Sequence, residues 1–252
     1  MSTQTNNLSE ERHIFSAEGQ QLHYRVIGTG TPLVLIHGFG VSSYLWQWTL
    51  PYLSVQHQVI LVDLPGHGRS TYVSPWRLRA MAPLLAQWLR SLQLPPVALM
   101  GQSMGGAVAA HLAAYAPELI SHLILVSAVG VPLQTTYLQL VRRAFHSFFQ
   151  RGNGSYPAEL VRDVLRPRPR VFWQAGHEVA RSDFQHELAT ITQPTLIIWG
   201  ERDVLLPISL GYALQAALPH AHLITFPHCG HRPMLAEPAL FSKLVLDFLH
   251  EN

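Results

Sequence analysis

Short apolar runs rich in β-branched residues alternate with longer amphipathic stretches along most of the chain. This alternation is typical of a parallel β-sheet whose strands are joined by crossover helices. The predicted strands are an antiparallel pair, His13–Ser16 and Gln21–Ile27, turned at Glu18-Gly19, and then Pro32–Ile36, Val59–Val62, Val97–Met100, His122–Ser127, Thr195–Trp199 and His222–Phe226. The predicted helices are Trp76–Leu92, Met104–Ala116, Ser209–Ala217 and Pro238–His250. We therefore expect an α/β fold with a mostly parallel eight-stranded sheet flanked by helices.

The alternation breaks once, between about Val131 and Thr192, where helical patterns and a Pro/Arg-rich stretch replace the strands. An insertion at this point, between strands six and seven, should lie as a small helical cap over the strand ends. The pattern thus predicts a core made of residues 1–130 and 193–252, and a cap made of residues 131–192.

Composition limits the class of protein. The 252 residues are 48% apolar and 13% charged, which indicates a compact globular chain and argues against disorder. The formal net charge of +2 is too small to suggest nucleic acid as a partner. Cys229 is the only cysteine, so no disulfide can form within the chain, and a reducing compartment fits.

Nothing in the sequence predicts a membrane segment or a secretory signal. The polar stretch 1–12 carries Glu10 and Glu11 where a signal would need an apolar run. The longest apolar stretches have the length of a strand and fall far short of a membrane span. We therefore expect a soluble, cytoplasmic protein.

The strongest chemical signal is Gly101-Gln102-Ser103-Met104-Gly105, which follows a predicted strand and opens a predicted helix. This is the context of a nucleophile elbow, in which a serine is held on a strained strand-to-helix turn. Glycines two residues to either side remove side chains that would collide across the turn. The motif predicts Ser103 as a nucleophile.

A serine hydroxyl is a weak nucleophile that needs a base, and the base needs an orienting acid. Asp203 lies in the loop after the predicted strand Thr195–Trp199, and His231 lies between the last strand and the last helix. The order serine, acid, histidine is the one expected for this architecture. Glu201 is the rival acid and His228 the rival base, and their positions favour Asp203 and His231.

The histidines at 220, 222 and 228 allow a second interpretation, a metal site, because a His-x-His pair can ligate a metal ion. No carboxylate or cysteine pattern lies nearby, so this interpretation is the weaker one. We expect neither a metal nor an organic cofactor.

A glycine-containing loop, His37-Gly38-Phe39-Gly40, follows the strand Pro32–Ile36. Acyl transfer needs backbone N–H donors aimed at the oxyanion of the tetrahedral intermediate. We expect one donor from Met104, directly after the nucleophile, and the other from Phe39. The loop could instead be a simple glycine turn.

Together these motifs resemble those of the α/β-hydrolase superfamily, and the resemblance spans nearly the whole chain. The matching segments are His37–Gly40, Asp63–Ser70, Gly101–Gly106, Gly200–Asp203 and Gly230-His231. The resemblance implies a structural turn, without a catalytic role, at Asp63–Ser70. Ser103 argues against the haloalkane dehalogenases and epoxide hydrolases, which use an aspartate at this place. Carboxylesterases remain, as do C–C bond hydrolases, lyases and slow-turnover ligand receptors of the same fold.

The predicted cap is basic. Between residues 131 and 170 seven arginines stand against two acidic residues, Glu159 and Asp163, for a formal charge of +5. The arginines are Arg142, Arg143, Arg151, Arg162, Arg166, Arg168 and Arg170. The chain is similar in this to the pimeloyl-carrier-protein methyl ester esterases, which implies an anionic or carrier-bound ester and an acyl carrier protein as partner. An ordinary solvated basic face is the alternative.

The substrate pocket is expected to include Gly38, Gln102, Trp46 and Phe149. Ordinary core packing explains most cap aromatics equally well, because they follow a helical spacing. The function predicted from the sequence is that of a serine carboxylic-ester hydrolase with Ser103, His231 and Asp203 as its triad.

Overall fold

The computed structural model describes residues 9–133, 135–150, 152–164 and 169–251. Its strands are β1 (Glu10–Ala17), β2 (Gln20–Ile27), β3 (Thr31–Ile36), β4 (His57–Val62), β5 (Val97–Gln102), β6 (Ile120–Val126), β7 (Thr195–Gly200) and β8 (Ala221–Phe226). They form a sheet in the order β1-β2-β4-β3-β5-β6-β7-β8. Strand β2 is antiparallel to both β1 and β4, and the other pairs are parallel. The predicted α/β fold with a mostly parallel eight-stranded sheet is confirmed.

The helices of the described residues are α1 (Leu50–Leu53), α2 (Met81–Ser91), α3 (Met104–Tyr115), α4 (Tyr137–Phe149), α5 (Ala158–Val164), α6 (Pro169–Ala180), α7 (Gln185–Leu188), α8 (Ile208–Ala217), α9 (Pro233–Ala236) and α10 (Pro238–Glu251). Short 3₁₀ turns lie at Ser43–Trp46, Leu78–Ala80 and Pro117–Leu119. Among these helices none is both long enough and apolar enough to cross a membrane.

One predicted helix begins later than expected. The pattern predicted a helix from Trp76, whereas α2 begins at Met81 after the 3₁₀ turn. Pro83 explains the shift, because it lacks the N–H that a helix interior needs and is tolerated only in a first turn. Trp76 instead lies buried outside the helix, where its Nε1 donates to Pro65 O over 2.8 Å.

The central strands are buried on both faces of the sheet, as parallel strands covered by helices must be. In β3, Val34 and Ile36 belong to one apolar cluster, and Leu33 and Leu35 belong to the other. The first cluster contains the buried faces of α2 and α3, and the second contains those of α1 and α10. Because successive side chains of a strand point to opposite faces, continuous apolar runs were the right signal for these strands.

The chain between β6 and β7 forms α4 to α7 and contains no strand among its described residues. Helix α4 begins with a capping box, in which the Thr136 hydroxyl accepts from Gln139 N and Gln139 Oε1 accepts from Thr136 N. The division into a core and a cap at residues 131 and 193 stays a prediction.

Trp46 was expected to line the substrate pocket, and this expectation is wrong. Its side chain is completely buried in the second apolar cluster, beneath the sheet, with its ring 6.4 Å from the ring of Phe241 in α10. The 3₁₀ turn at Ser43–Trp46 directs the indole into the core. Trp46 is therefore a packing residue.

Replacing Trp46 by alanine should lower the free energy of unfolding by about 3–5 kcal/mol, because it leaves a large cavity in a packed core. Trp46→Phe should lose less, since much of the ring volume stays. Urea unfolding of the two variants beside the wild type checks this. An alanine variant within about 1 kcal/mol of the wild type would contradict the assignment to the core.

Candidate active site

Ser103 lies on a sharp turn between β5 and α3. Its backbone has φ 56° and ψ −119°, in a region that residues with a side chain rarely adopt. Two hydrogen bonds fix this conformation, from Ser103 N to Val126 O over 2.9 Å and from Val129 N to Ser103 O over 3.1 Å. The strain is therefore held in place by β6 and by the loop that follows it.

The glycines around this turn are required by close backbone contacts. A Cβ at Gly101 would lie 2.2 Å from Gly105 O, and a Cβ at Gly105 would lie 2.4 Å from His37 O. Both distances are shorter than any side-chain carbon tolerates. The glycines of the motif that predicted the elbow are therefore needed because the turn leaves no room for side chains at these positions.

Asp203 and His231 form a buried pair, with 2.7 Å between Asp203 Oδ2 and His231 Nδ1. The other carboxylate oxygen, Oδ1, accepts from Leu205 N and Leu206 N at 2.9 Å each. These three contacts hold the carboxylate in one orientation. Because Nδ1 donates to Asp203, Nε2 of a neutral His231 is an acceptor directed away from the carboxylate.

The loops that carry this pair meet backbone to backbone. Arg202 N donates to Cys229 O over 3.0 Å, and a Cβ at Gly200 would lie 2.0 Å from Gly230 O. Gly200 therefore allows the loop of Asp203 to touch the loop of His231. The first residue of the Gly200–Asp203 motif has a steric reason to be glycine.

The rival acid and base lie outside the site. Glu201 Oε1 accepts from the Thr225 hydroxyl over 2.7 Å at an exposed position. His228 Nδ1 is 3.0 Å from Arg202 Nη2, also at the surface. Both side chains are exposed, whereas Asp203 and His231 are only 5% and 2% exposed.

Gln102 was expected in the substrate pocket, but the structure places its side chain against Nε2 of His231. Its Nε2 donates to His231 Nε2 over 2.9 Å. A Cβ at Gly38 would lie only 2.2 Å from Gln102 Oε1, so only glycine leaves room for this side chain. Gln102 and Gly38 thus pack on each other and do not line the cavity above Ser103. The pattern of apolar and polar residues along the chain could not predict the contact of Gln102 with His231.

The loop from His37 to Gly40 is held by the imidazole of His37. His37 Nδ1 donates to Gly38 O over 2.7 Å, and Nε2 accepts from Leu64 N over 3.0 Å. Both bonds need the neutral ring, and complete burial lowers the pKa of His37 accordingly. The amides of Phe39 and Met104 make no hydrogen bond to other described residues. Both are therefore available as the expected oxyanion donors.

The segment from Asp63 to Ser70 supports this loop from outside. Asp63 accepts from Ser43 N and Arg69 N at 2.9 Å each, and the Ser70 hydroxyl donates to Asp63 O. The carboxylate is thus occupied by backbone amides. The structural role implied for this segment agrees with these contacts.

Ser103 opens into a narrow apolar cavity of about 40 Å³ beneath the helices α4 and α6. Its wall includes Phe39, Val129, Leu140, Ala144, Val179 and Leu206. Of these residues, only Phe39 was expected from the sequence. Leu140 and Ala144 are four residues apart and therefore lie on one face of a helix. This spacing could have predicted that the two residues line the cavity.

Phe149 was expected in the pocket, and this expectation is wrong. It is 69% exposed at the end of α4, with its ring 5.1 Å from that of Phe145 and 5.3 Å from that of Phe148. Its position on α4 turns it away from the helix face that carries Leu140. Apolar character alone did not distinguish the inner from the outer face.

Four of the cap arginines fall within the described residues, namely Arg142, Arg143, Arg162 and Arg170. None of these four lies within 4 Å of a described carboxylate, so their charges are not neutralised by ion pairs. Arg151, Arg166 and Arg168 lie outside the described residues. The exposed side chains of Leu138, Val141 and Phe145 on α4 lie beside Arg142 and Arg143.

The alternative of a metal site at residues 220, 222 and 228 finds no support in the described part of the chain. No group of three or more histidine, cysteine or acidic side chains lies there in an arrangement that could hold a metal ion.

Comparisons with known proteins identify the family of the chain. A profile of the Alpha/beta hydrolase family matches residues 33–244. A pimeloyl-[acyl-carrier protein] methyl ester esterase of Nitrosomonas europaea is 31% identical over 87% of this chain and 96% of its own. One of Yersinia enterocolitica is 30% identical over 92% and 99%. The crystal structure of a Rhodococcus esterase is 26% identical, with a TM-score of 0.80 over 96% of this chain and 99% of its own.

His37 gives a prediction for the pH dependence of stability. Its pKa is lowered in the folded state, so stability is full above the ordinary imidazole pKa of about 6.5 and falls as the pH drops below it. His37→Asn should therefore show a shallower loss of unfolding free energy between pH 7 and pH 5 than the wild type. Burial also lowers the pKa of His57 and His111, but these contribute equally to both proteins. Urea titrations at several pH values measure the two slopes, and equal slopes would refute the prediction.

Proposed function

Because the chain belongs to the alpha/beta hydrolase family, we propose that it is a carboxylic-ester hydrolase that works through Ser103, His231 and Asp203. The observation that supports this most directly is the buried 2.7 Å contact of Asp203 with His231, in a chain whose Ser103 lies on a strained turn. No metal or organic cofactor takes part in the proposed reaction.

In the first step Ser103 Oγ attacks the ester carbonyl while His231 Nε2 takes its proton. The bond from Nδ1 to Asp203 keeps the ring in the required tautomer and stabilises the imidazolium. The Phe39 and Met104 amides receive the developing oxyanion at the positive end of α3. In the structure Gln102 Nε2 donates to His231 Nε2. This hydrogen bond must break before Nε2 can accept the proton of the serine hydroxyl.

The first half of the reaction ends when the alcohol leaves with the proton from His231, and an acyl-enzyme remains on Ser103. A water molecule then donates its proton to His231 and attacks the acyl carbonyl. His231 then returns this proton to Ser103 Oγ as the acyl–oxygen bond breaks, which releases the acid and restores the free serine. The apolar cavity wall suits an aliphatic acyl chain better than a charged one.

The substrate we propose is an acyl ester attached to an acidic acyl carrier protein. Two features support this choice: the relatives named as pimeloyl-[acyl-carrier protein] methyl ester esterases, and the unpaired arginines of the cap. A carrier protein with an acidic surface would be attracted by Arg142, Arg143 and Arg170. The protein-bound ester would then reach Ser103 beneath α4.

Ser103→Ala should lower the turnover of p-nitrophenyl esters by about three orders of magnitude or more, because it removes the nucleophile. A panel from C2 to C12, run on the wild type and the variant side by side, measures this and also reports the preferred chain length. A wild type that is inert on every ester would overturn the esterase proposal. Activity on vinylogous diketones instead would indicate a C–C bond hydrolase.

Replacing Arg142, Arg143 and Arg170 together by glutamine should lower the ratio of kcat/KM for a carrier-bound methyl ester to that for the free ester. The same change should flatten the decline of that ratio with salt, because exposed charges are screened within about 10 Å at 0.1 M salt. Arg90→Gln is the matched control, since Arg90 is an exposed arginine on α2 that pairs with Glu118. An unchanged ratio and salt slope in the triple variant would reject the carrier surface.

A further inference from the structure

A short piece of the cap just after α4, residues 152–154, lies directly on the loop that carries His231. We call residues 152–154 the histidine clamp. Gly230 N donates to Gly152 O over 2.9 Å, and Arg232 N donates to Asn153 Oδ1 over 3.2 Å. The two peptide N–H groups on either side of His231 therefore both end on the cap.

Asn153 joins this loop to helix α4. Its side chain is 1% exposed, and its Nδ2 donates to Ser147 O in the last turn of α4 while its Oδ1 accepts from Arg232 N. A carboxamide is the side chain that can accept and donate at once across such a short gap. Asn153 thus links the last turn of α4 to the loop that carries His231 through two hydrogen bonds.

The glycines of the histidine clamp allow it to lie this close. Gly152 and Gly154 have φ values of +89° and +72°, which favour glycine. A Cβ at Gly152 would lie 2.5 Å from His228 O, and one at Gly154 would lie 2.0 Å from Leu235 O. The clamp is therefore in backbone contact with the histidine loop at Gly152 and with the following helix, α9, at Gly154.

The neighbouring Gln150 extends this contact to the other loop of the site. Its Nε2 donates to Arg202 O, directly before Asp203. The end of α4 therefore holds the loop of the acid and the loop of the base together. No other described segment of the cap hydrogen-bonds to both loops.

We propose that Asn153 is a positioning residue for His231, and that the cap sets the place of the base relative to Ser103 through the histidine clamp. This inference rests on the proposed function. The imidazole of His231 is held by Asp203 at Nδ1 and by Gln102 at Nε2, so rotation of the ring is restricted. The position of the ring then depends mainly on the position of the His231 backbone. A displacement of about 1 Å in a reacting group can cost about 100-fold in rate.

Asn153→Ala tests the inference. The expected result is a fall of about 10- to 100-fold in kcat with little change in KM, because the substrate cavity is untouched while the base is misplaced. The matched control is Thr136→Ala, which removes the capping box of α4 and weakens the cap without touching the histidine loop. Equal kcat values for the two variants would overturn the proposal.

A second arm separates positioning from simple loss of folded protein. In a His231→Ala background the residual ester turnover should not fall further when Asn153→Ala is added, because the clamp acts through His231. A further fall by the same factor would show that Asn153 acts in another way. If the alanine variant does not fold, Asn153→Ser removes the reach of the carboxamide at less cost in packing and takes its place in both arms.

A third readout needs no substrate, so it distinguishes failure of this inference from failure of the proposed function. The proton shared by His231 Nδ1 and Asp203 should give a far-downfield NMR signal in the wild type and in Thr136→Ala. In Asn153→Ala that signal should shift or broaden through exchange with water. A signal unchanged by Asn153→Ala would refute the positioning role even if the chain hydrolysed no ester.

Discussion

The left-handed backbone of Ser103 is the constraint around which the rest of the site is arranged. Such a conformation costs about 1–3 kcal/mol for a residue with a side chain, so it persists only where neighbouring structure enforces it. The enforcement comes from the pairing of β5 with β6, through Ser103 N and Val126 O, and from the glycines that let α3 start immediately. The buried two-faced sheet is thus the foundation of the site as well as of the fold.

Backbone contact without side chains recurs at each loop of the site. Gly200 meets Gly230, Gly105 meets His37, and Gly152 meets the carbonyl of His228. Where main chains touch directly, their separation is set by van der Waals contact and hydrogen bonds, so little rotamer freedom remains to displace the functional groups. The glycines beside Ser103, Asp203 and His231 share this one physical role.

Helix α4 combines three environments in one element. Its inner face, with Leu140 and Ala144, closes the cavity over Ser103, while its outer face exposes Phe145 beside arginines. Its C-terminal turn receives Asn153, which contacts the histidine loop. A partner that moved α4 would therefore act on the cavity and on the base at the same time, which gives the cap a physical route to the chemistry.

The sequence by itself determined the eight strands in chain order and the main helices that flank the sheet, and it singled out Ser103, Asp203 and His231, because each depends on a local strand–turn–helix pattern of a few residues. It also implied the glycines of the elbow. Only the tertiary structure decided that Trp46 packs in the core and that Phe149 faces outward, since an apolar residue carries no record of which segment covers it. The contacts of Gln102 with His231 and of Asn153 with Arg232 join residues 129 and 79 positions apart. Contacts of that kind arise when distant loops converge at one edge of the sheet, and no local pattern encodes them.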